Sequence, residues 1–226
     1  MSLRGRALAV VPVMAAATAL VPTLAPASLH GRPRCGPPNH GHVYTLVRSH
    51  RARVFSDHGD VRGCLHGHRH SWSLTPRLHG DWTSSDTESF AKLVFSQRLV
   101  GYLYFYWHAE QEVCFARVRV LDLKTGRLRR SLLPGKRHYP GADGPYGRPP
   151  CGPNPERIVM KRNASIAWLT VERRSTEPTW FRVIRVDSRG RKTLDEGTAI
   201  EAESLRRRGS TITWRSGGVR RSARLH

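Results

Sequence analysis

The chain has 226 residues, of which 38% are hydrophobic and 24% are charged. These fractions are close to globular averages, and they exclude an intrinsically disordered chain. The formal net charge is +21, but only five of the 38 basic residues are lysine. The net charge alone therefore does not show whether the arginines form an anion-binding surface or reflect a coding bias toward arginine.

The first residues have the order of a secretory signal peptide. Arg4 and Arg6 form a short basic start, and an apolar stretch follows from Ala7 to Leu20. Ala25-Pro26-Ala27 then has the small residues of a cleavage site. A retained membrane anchor is the alternative, but the apolar run is shorter than the roughly 18 residues that a transmembrane helix needs. We therefore predict cleavage after Ala27 and a secreted mature protein.

The rest of the chain is expected to fold as one soluble unit. No later segment is long and apolar enough to cross a bilayer, so no transmembrane segment is expected in the mature chain. The predicted organisation is a signal peptide over 1–27, a Pro- and Gly-rich lead-in over 28–42, and a single β domain over 43–226.

Four cysteines follow the leader, an even number that indicates two disulfides in an exported protein. Three pairings are possible. We favour the sequential one, Cys35–Cys64 with Cys114–Cys151, because it closes loops of about 30 to 40 residues that would each stabilise the fold by roughly 3 to 4 kcal/mol. No Cys-x-x-Cys spacing is present, so structural bridges are favoured over redox catalysis.

Most of the predicted domain has the pattern of short strands, in which valine, isoleucine and aromatic residues alternate or cluster. Only Ile200 to Arg208 offers a possible turn of helix, and its apolar content is too thin to bury a stripe. The clearest strand segments are Val43 to Val47, Ala52 to Phe55, Leu93 to Trp107, Phe115 to Leu123, Ile158 to Met160, Ser165 to Val171, Trp180 to Val186 and Thr211 to Trp214.

Glycine-containing turns separate several of these segments. Lys124-Thr125-Gly126, Ser188-Arg189-Gly190 and Ser216-Gly217-Gly218 stand where hairpins must reverse. Around the first two turns a pattern repeats, Val118 to Leu123 in one case and Val183 to Asp187 in the other. A preceding aromatic-rich strand completes a unit of about 65 residues, which is typical of a propeller blade with loop insertions.

Two stretches resemble known proteins. Val120-Leu121-Asp122-Leu123-Lys124-Thr125-Gly126 is similar to the inner hairpin of many β-propeller blades. A second stretch resembles the C-terminal block of secreted actinobacterial proteins of unknown function, and the whole resemblance covers roughly Arg117 to Leu225. Its residues are Ser204-Leu205, Gly209-Ser210-Thr211-Ile212-Thr213-Trp214, Gly217-Gly218 and Ser222-Ala223-Arg224-Leu225. The resemblance implies a fold and an extracellular location, and it supplies no catalytic residue.

The predicted fold class is therefore all-β. About 200 mature residues provide three strand clusters and a partial fourth, fewer than most closed propellers use. We predict a small or partial β-propeller-like array of antiparallel sheets, with a β-sandwich as the alternative.

One histidine cluster is a candidate metal site. If His66, His68 and His70 lie on an extended strand, their imidazoles project from one face and could bind Zn²⁺ or Cu²⁺. The alternative is a loop, which Gly63 and Gly67 favour, with clustering expected among twelve histidines.

The aromatic residues suggest a second candidate site. The run from Tyr102 to Trp107 is more typical of a central strand that is buried on both sides than of a stacking platform. Trp72 and Trp82 have polar neighbours in the sequence, and they are the better candidates for an exposed ligand surface.

The function predicted from these patterns is a secreted, non-catalytic binding or structural module of the cell envelope or extracellular space. The common hydrolase, zincin and nucleotide-binding motifs do not occur, and the catalytic residues stay unknown. A secreted hydrolase or metal-dependent enzyme with a loop-built site is the alternative. Anionic cell-envelope polymers are the predicted partners of the basic surface. No specific nucleic acid is expected to bind, and we expect a monomer.

Overall fold

The computed structural model describes residues 35, 41–75, 87–108, 113–134, 154–172 and 178–226. These residues form fifteen β-strands and no helix. The strands assemble into four antiparallel sheets, none of which closes into a barrel. The predicted all-β class is therefore confirmed.

The first two sheets are built from eight strands in chain order. Sheet 1 contains β1 (Val43–Arg48), β2 (Ala52–Asp57), β3 (Asp60–Leu65) and β4 (Ser71–Ser73). Sheet 2 contains β5 (Thr87–Ser96), β6 (Leu99–His108), β7 (Val113–Asp122) and β8 (Arg127–Leu132).

The last two sheets follow the same rule, so every sheet is a meander of consecutive strands. Sheet 3 contains β9 (Asn154–Met160), β10 (Ile166–Glu172), β11 (Trp180–Asp187) and β12 (Gly190–Gly197). Sheet 4 is the three-stranded terminal sheet of β13 (Arg206–Arg208), β14 (Thr211–Ser216) and β15 (Val219–Arg224).

Among the residues that the structure describes, three hydrophobic clusters join successive sheets. Residues of sheets 1 and 2, such as Val54 and Tyr102, share the first cluster. Residues of sheets 2 and 3, such as Val118 and Trp168, share the second. The third cluster lies between sheets 3 and 4, around Ile212. The core is thus divided between neighbours in the chain, as in an array of stacked units.

The central strands β6 and β10 each contribute to two clusters, because alternate side chains of a strand point to opposite faces. On β6, Tyr102 packs toward sheet 1 and Leu103 toward sheet 3. On β10, Trp168 packs toward sheet 2 and Leu169 toward sheet 4. This explains why both strands are nearly continuous runs of apolar residues in the sequence.

Two of the expected elements were wrong in detail. The segment Leu93 to Trp107 is divided between β5 and β6 by a tight turn in which Gln97 has φ +55°. The possible helical turn at Ile200 to Arg208 is instead an isolated bridge at Ile200, a turn and strand β13. The three consecutive arginines of β13 pair with β14 through their backbones. Such pairing leaves no hydrophobic periodicity in the sequence from which the strand could be predicted.

Candidate functional site

The two faces of sheet 4 differ sharply in composition. Ile212 and Trp214 on β14 point toward sheet 3 and are buried in the third cluster. The polar groups of this inner face are also satisfied. Asp195 of sheet 3 accepts hydrogen bonds from Trp214 Nε1 at 2.6 Å and from Arg221 Nη1 at 3.3 Å. The inner face therefore fixes sheet 4 to its neighbour.

The outer face of sheet 4 carries arginines and hydroxyl groups. Strand alternation and register place eight side chains on it. Seven of them are exposed and Thr213 is half-buried. We call this surface the arginine face, and its residues are Arg206, Arg208, Thr211, Thr213, Arg215, Arg220, Ser222 and Arg224.

The charge of this surface is not neutralised within the described part of the chain. None of the five guanidinium groups of the arginine face forms an ion pair there. Residues 206–224 include seven arginines and no aspartate or glutamate. Arg215 also stands directly opposite Arg220 in the β14–β15 register. Like charges in that position destabilise a sheet, so the arrangement favours an anionic ligand.

Backbone conformation positions this arginine pair. Gly217 and Gly218 have φ of +59° and +75°, as the two central residues of a type I′ hairpin require. This tight turn sets the register that places Arg215 opposite Arg220. The strand pairing of β14 and β15 then fixes the two arginine backbones side by side.

An open groove runs along the arginine face, with a volume of about 860 Å³. Arg208, Arg215 and Arg220 line it, and Glu201 and Glu203 are its acidic residues. A second cavity of about 570 Å³ adjoins it between β5, β9 and β13. Arg206, Arg207 and Glu203 line both spaces, so the groove continues from the terminal sheet toward sheets 2 and 3.

The histidine cluster does not have the strand geometry that the metal hypothesis assumed. Strand β3 ends at Leu65 and β4 begins at Ser71, so His66, His68 and His70 lie in a connecting turn. All three side chains are exposed, and Gly67 reverses the chain with φ +79°. In the described ranges, no group of three or more histidine, cysteine, aspartate or glutamate side chains could hold a metal ion. The structure thus does not bring these imidazoles together as ligands.

Trp72 packs between the first two sheets and is only partly exposed. Its Nε1 donates a 3.0 Å hydrogen bond to the carbonyl oxygen of Leu123. Its ring lies over Gly126 of the β7–β8 turn, so this side chain closes an internal contact instead of forming a free ligand surface. Trp82 lies outside the described residues.

The cysteine prediction is confirmed for one bridge. Cys35 and Cys64 form a disulfide with their Cα atoms 5.6 Å apart, as the sequential pairing requires. The predicted Cys114–Cys151 bridge stays a prediction, because Cys151 lies outside the described residues. The confirmed bridge attaches Cys35 to the β3 strand of sheet 1.

Asp122 and Asp187 are buried at the ends of β7 and β11. Asp122 accepts hydrogen bonds from Arg129 Nη2 at 2.8 Å and from the Lys124 backbone N–H at 3.1 Å, and Arg98 Nε lies 3.2 Å away. Burial alone would raise the pKa of this carboxyl, but those bonds and charges outweigh it and lower the pKa.

Asp187 has the same role in sheet 3. Burial opposes its ionisation too, and backbone N–H groups of His226 and Arg189, both at 2.9 Å, together with the charge of Arg185 lower its pKa. Both carboxylates therefore serve as anchors of the hairpin ends, because their oxygens are occupied by donors of the chain itself.

Comparison with known proteins yields no match, whether to a family model, a curated protein or a solved structure. Within the described ranges, the chain has no helix with the length and apolar character needed to cross a membrane. The arginine face is consequently the feature of the molecule that points to a function.

The arginine face was not predicted, although the sequence contains a signal for it. Arginine and hydroxyl residues alternate with other residues at 206 and 208, at 211, 213 and 215, and at 220, 222 and 224. Period-two alternation of that kind indicates one face of a sheet. The signal was weak because β13 and β15 have few of the β-branched or aromatic residues that identify strands.

Proposed function

We propose that the protein is an exported, non-catalytic binding module whose arginine face binds anionic polymers of the cell envelope. The observation that carries the proposal is the arginine face itself, with five exposed guanidinium groups and no ion-pair partner among the described residues. Guanidinium groups bind phosphate and carboxylate through paired hydrogen bonds, so this surface fits a polyanion.

Export is part of the same proposal. The basic and apolar order of the first 27 residues and the Cys35–Cys64 disulfide both support it, because disulfides persist outside the reducing cytosol. In that compartment, phosphate- and carboxylate-bearing envelope polymers are the abundant polyanions that a basic surface would meet.

The test compares polymer binding by the wild-type protein with that of a variant carrying Arg206→Gln, Arg208→Gln, Arg215→Gln and Arg220→Gln. The probes are poly(glycerol phosphate) and poly-L-glutamate, and the measurement is the Kd over 50 to 200 mM salt. Three to five phosphate contacts would weaken wild-type binding roughly 20- to 100-fold over that range, from a slope of about 0.7 per contact on log scales. The variant should bind more weakly, and its slope should be smaller by roughly 1.5 to 3.

A second variant provides the matched control. Arg48→Gln, Arg51→Gln, Arg69→Gln and Arg127→Gln remove four exposed arginines from sheets 1 and 2 and their turns, and so give the same net charge. This protein should keep the affinity of the wild type to within about threefold, since distant exposed charges are largely screened. Equal losses in both variants would show that net charge, and not the arginine face, is responsible.

A further inference from the structure

The donors of the arginine face lie in three rows that cross the strands. Each row has one residue from β14 and its partners on the neighbouring strands, and each row contains at least one arginine. The rows are Arg208, Thr211 and Arg224; then Arg206, Thr213 and Ser222; then Arg215 and Arg220.

The spacing of these rows sets a repeat for the ligand. Successive rows are two residues apart along β14, which corresponds to about 6.8 Å. In a phosphodiester polymer with a three-carbon polyol, six bonds separate successive phosphorus atoms. Polypeptide chains extend roughly 3.5 Å per three backbone bonds, so six such bonds span about 7 Å. One phosphate can therefore meet each row.

The direction of the donors also favours phosphate. Within a row, Arg206, Thr213 and Ser222 come from three strands that are about 4.8 Å apart. Arg206 Nη1 donates to the carbonyl oxygens of Glu203 and Leu205, which leaves its other N–H groups for a ligand. Donors from three strands suit the tetrahedral oxygens of a phosphate. A carboxylate presents its two oxygens in one plane and fits a single planar guanidinium best.

The composition of the surface disfavours a nucleic acid as the occupant. Proteins that bind single strands combine a basic groove with aromatic rings on which bases stack. The eight residues of the arginine face are arginine, threonine and serine, with no ring among them. Trp214 borders the groove but is only 4% exposed, because its ring is buried in the cluster on the opposite side of β14. The surface is suited to the charged backbone of a polymer and not to bases.

We propose that the arginine face binds a phosphodiester polymer with a flexible polyol backbone, and that each of the three rows receives one phosphate. This inference rests on the proposed function and names the ligand class of the same surface. The spacing of the rows then selects a ligand by the distance between its successive phosphates as well as by its total charge.

The experiment measures the Kd of the mature protein for four polymers with equal numbers of charges at 50 mM salt. These are poly(glycerol phosphate), inorganic polyphosphate, poly-L-glutamate and oligothymidylate. We expect poly(glycerol phosphate) to bind roughly 10-fold more tightly than polyphosphate and polyglutamate. A surface that acts through charge alone would instead favour polyphosphate, which has the highest charge density.

A charge-neutral variant separates row geometry from electrostatics. Thr213→Val with Ser222→Ala removes two hydroxyl donors from one row and leaves every arginine in place. Its affinity for poly(glycerol phosphate) should fall roughly fivefold or more, the equivalent of a neutral hydrogen bond, while its affinity for polyglutamate stays within about twofold. Thr193→Val on β12 is the matched control and should change neither value.

The outcomes distinguish the two proposals. If polyphosphate or polyglutamate binds as tightly as poly(glycerol phosphate), the proposed ligand class is wrong. The proposed function still stands in that case if the four-arginine variant binds these polymers more weakly than the wild type. Tighter binding of oligothymidylate would overturn the class in favour of nucleic acid. If none of the four polymers binds, both proposals fail.

Discussion

At the scale of single residues, the buried carboxylates show how a basic chain stabilises its own turns. Asp122 and Asp187 occupy equivalent ends of the third strand in sheets 2 and 3, and each accepts hydrogen bonds from the backbone of the following turn. Each also lies beside arginines of its own sheet or turn. Their ionised form is therefore part of the folded structure.

We predict that Asp122→Asn lowers the free energy of unfolding by about 1 to 3 kcal/mol at pH 7, since the amide loses the charge that Arg98 and Arg129 face. Urea unfolding of the variant and wild type provides the measurement. Glu201→Gln, an exposed position, is the control and should change stability by less than about 0.5 kcal/mol.

The same carboxylates predict a pH dependence. Because the folded-state pKa values of Asp122 and Asp187 are lowered, their contribution to stability is fully present above the ordinary carboxyl pKa. It is lost as pH falls below about 4 and through the folded-state values. The difference in free energy of unfolding between wild type and Asp122→Asn, measured by urea titration, should accordingly become smaller as the pH falls below about 4. A gap that stays constant to pH 2 would contradict the role assigned to this carboxylate.

At the scale of elements, the β7–β8 hairpin depends on a close contact with sheet 1. Gly126 has φ +70°, and a Cβ atom at this position would lie 2.7 Å from Cζ3 of Trp72. Gly190 ends the corresponding β11–β12 turn with φ +90°, and nothing lies within 4 Å of its Cβ position. The two glycines thus share a backbone requirement and differ in packing.

This difference makes a paired prediction. Gly190→Ala should lower the free energy of unfolding by about 1 to 2 kcal/mol, because alanine disfavours the left-handed backbone conformation. Gly126→Ala should lower it by about 1 to 3 kcal/mol more than Gly190→Ala does, because the methyl group displaces the Trp72 ring. Urea midpoints of the two variants measure the difference. Equal losses would show that the Trp72 contact contributes nothing to the hairpin.

The elements also show what the sequence could and could not predict. The strands β7, β10 and β11 were predictable because their apolar residues are buried in the clusters between sheets. Strands β13 and β15 were not, since they carry mostly exposed arginine, serine and alanine and are held by backbone pairing to β14. The arginine face was missed for the same reason.

The places that the structure gives to the candidate site residues have equally specific causes. The side chains of His66, His68 and His70 would project from one face only on a strand. The positive φ of Gly67 makes this segment a turn. The polar sequence around Trp72 did not reveal its packing against Gly126, because that contact joins residues more than fifty positions apart. The Cys35–Cys64 pairing was predictable because loop length alone favoured it.

At the scale of the whole molecule, the sheets interact as neighbours in a row. Among the described residues, each hydrophobic cluster joins one sheet to the next along the chain. In the described part of the chain, sheet 4 shares a cluster with sheet 3 alone, as sheet 1 does with sheet 2, and the outer face of sheet 4 is the exposed arginine face. In such arrays the stability of a unit depends on its own pairing and on its adjacent interfaces. The two end sheets therefore have one supporting interface each, whereas sheets 2 and 3 have two.

The opposed arginines Arg215 and Arg220 give added salt two effects of opposite sign on this molecule. Raising the salt from about 0.1 to 1 M shortens the screening length from about 10 to 3 Å, which weakens a polyanion complex and also relieves the repulsion within the terminal sheet. We predict that amide hydrogen exchange of β14 and β15 slows over this range, while exchange of β10 changes little. Uniform slowing across all sheets would contradict this local origin. Ligand and electrolyte thus relieve the same repulsion between Arg215 and Arg220, and the unoccupied terminal sheet is most stable in the medium in which the protein binds least.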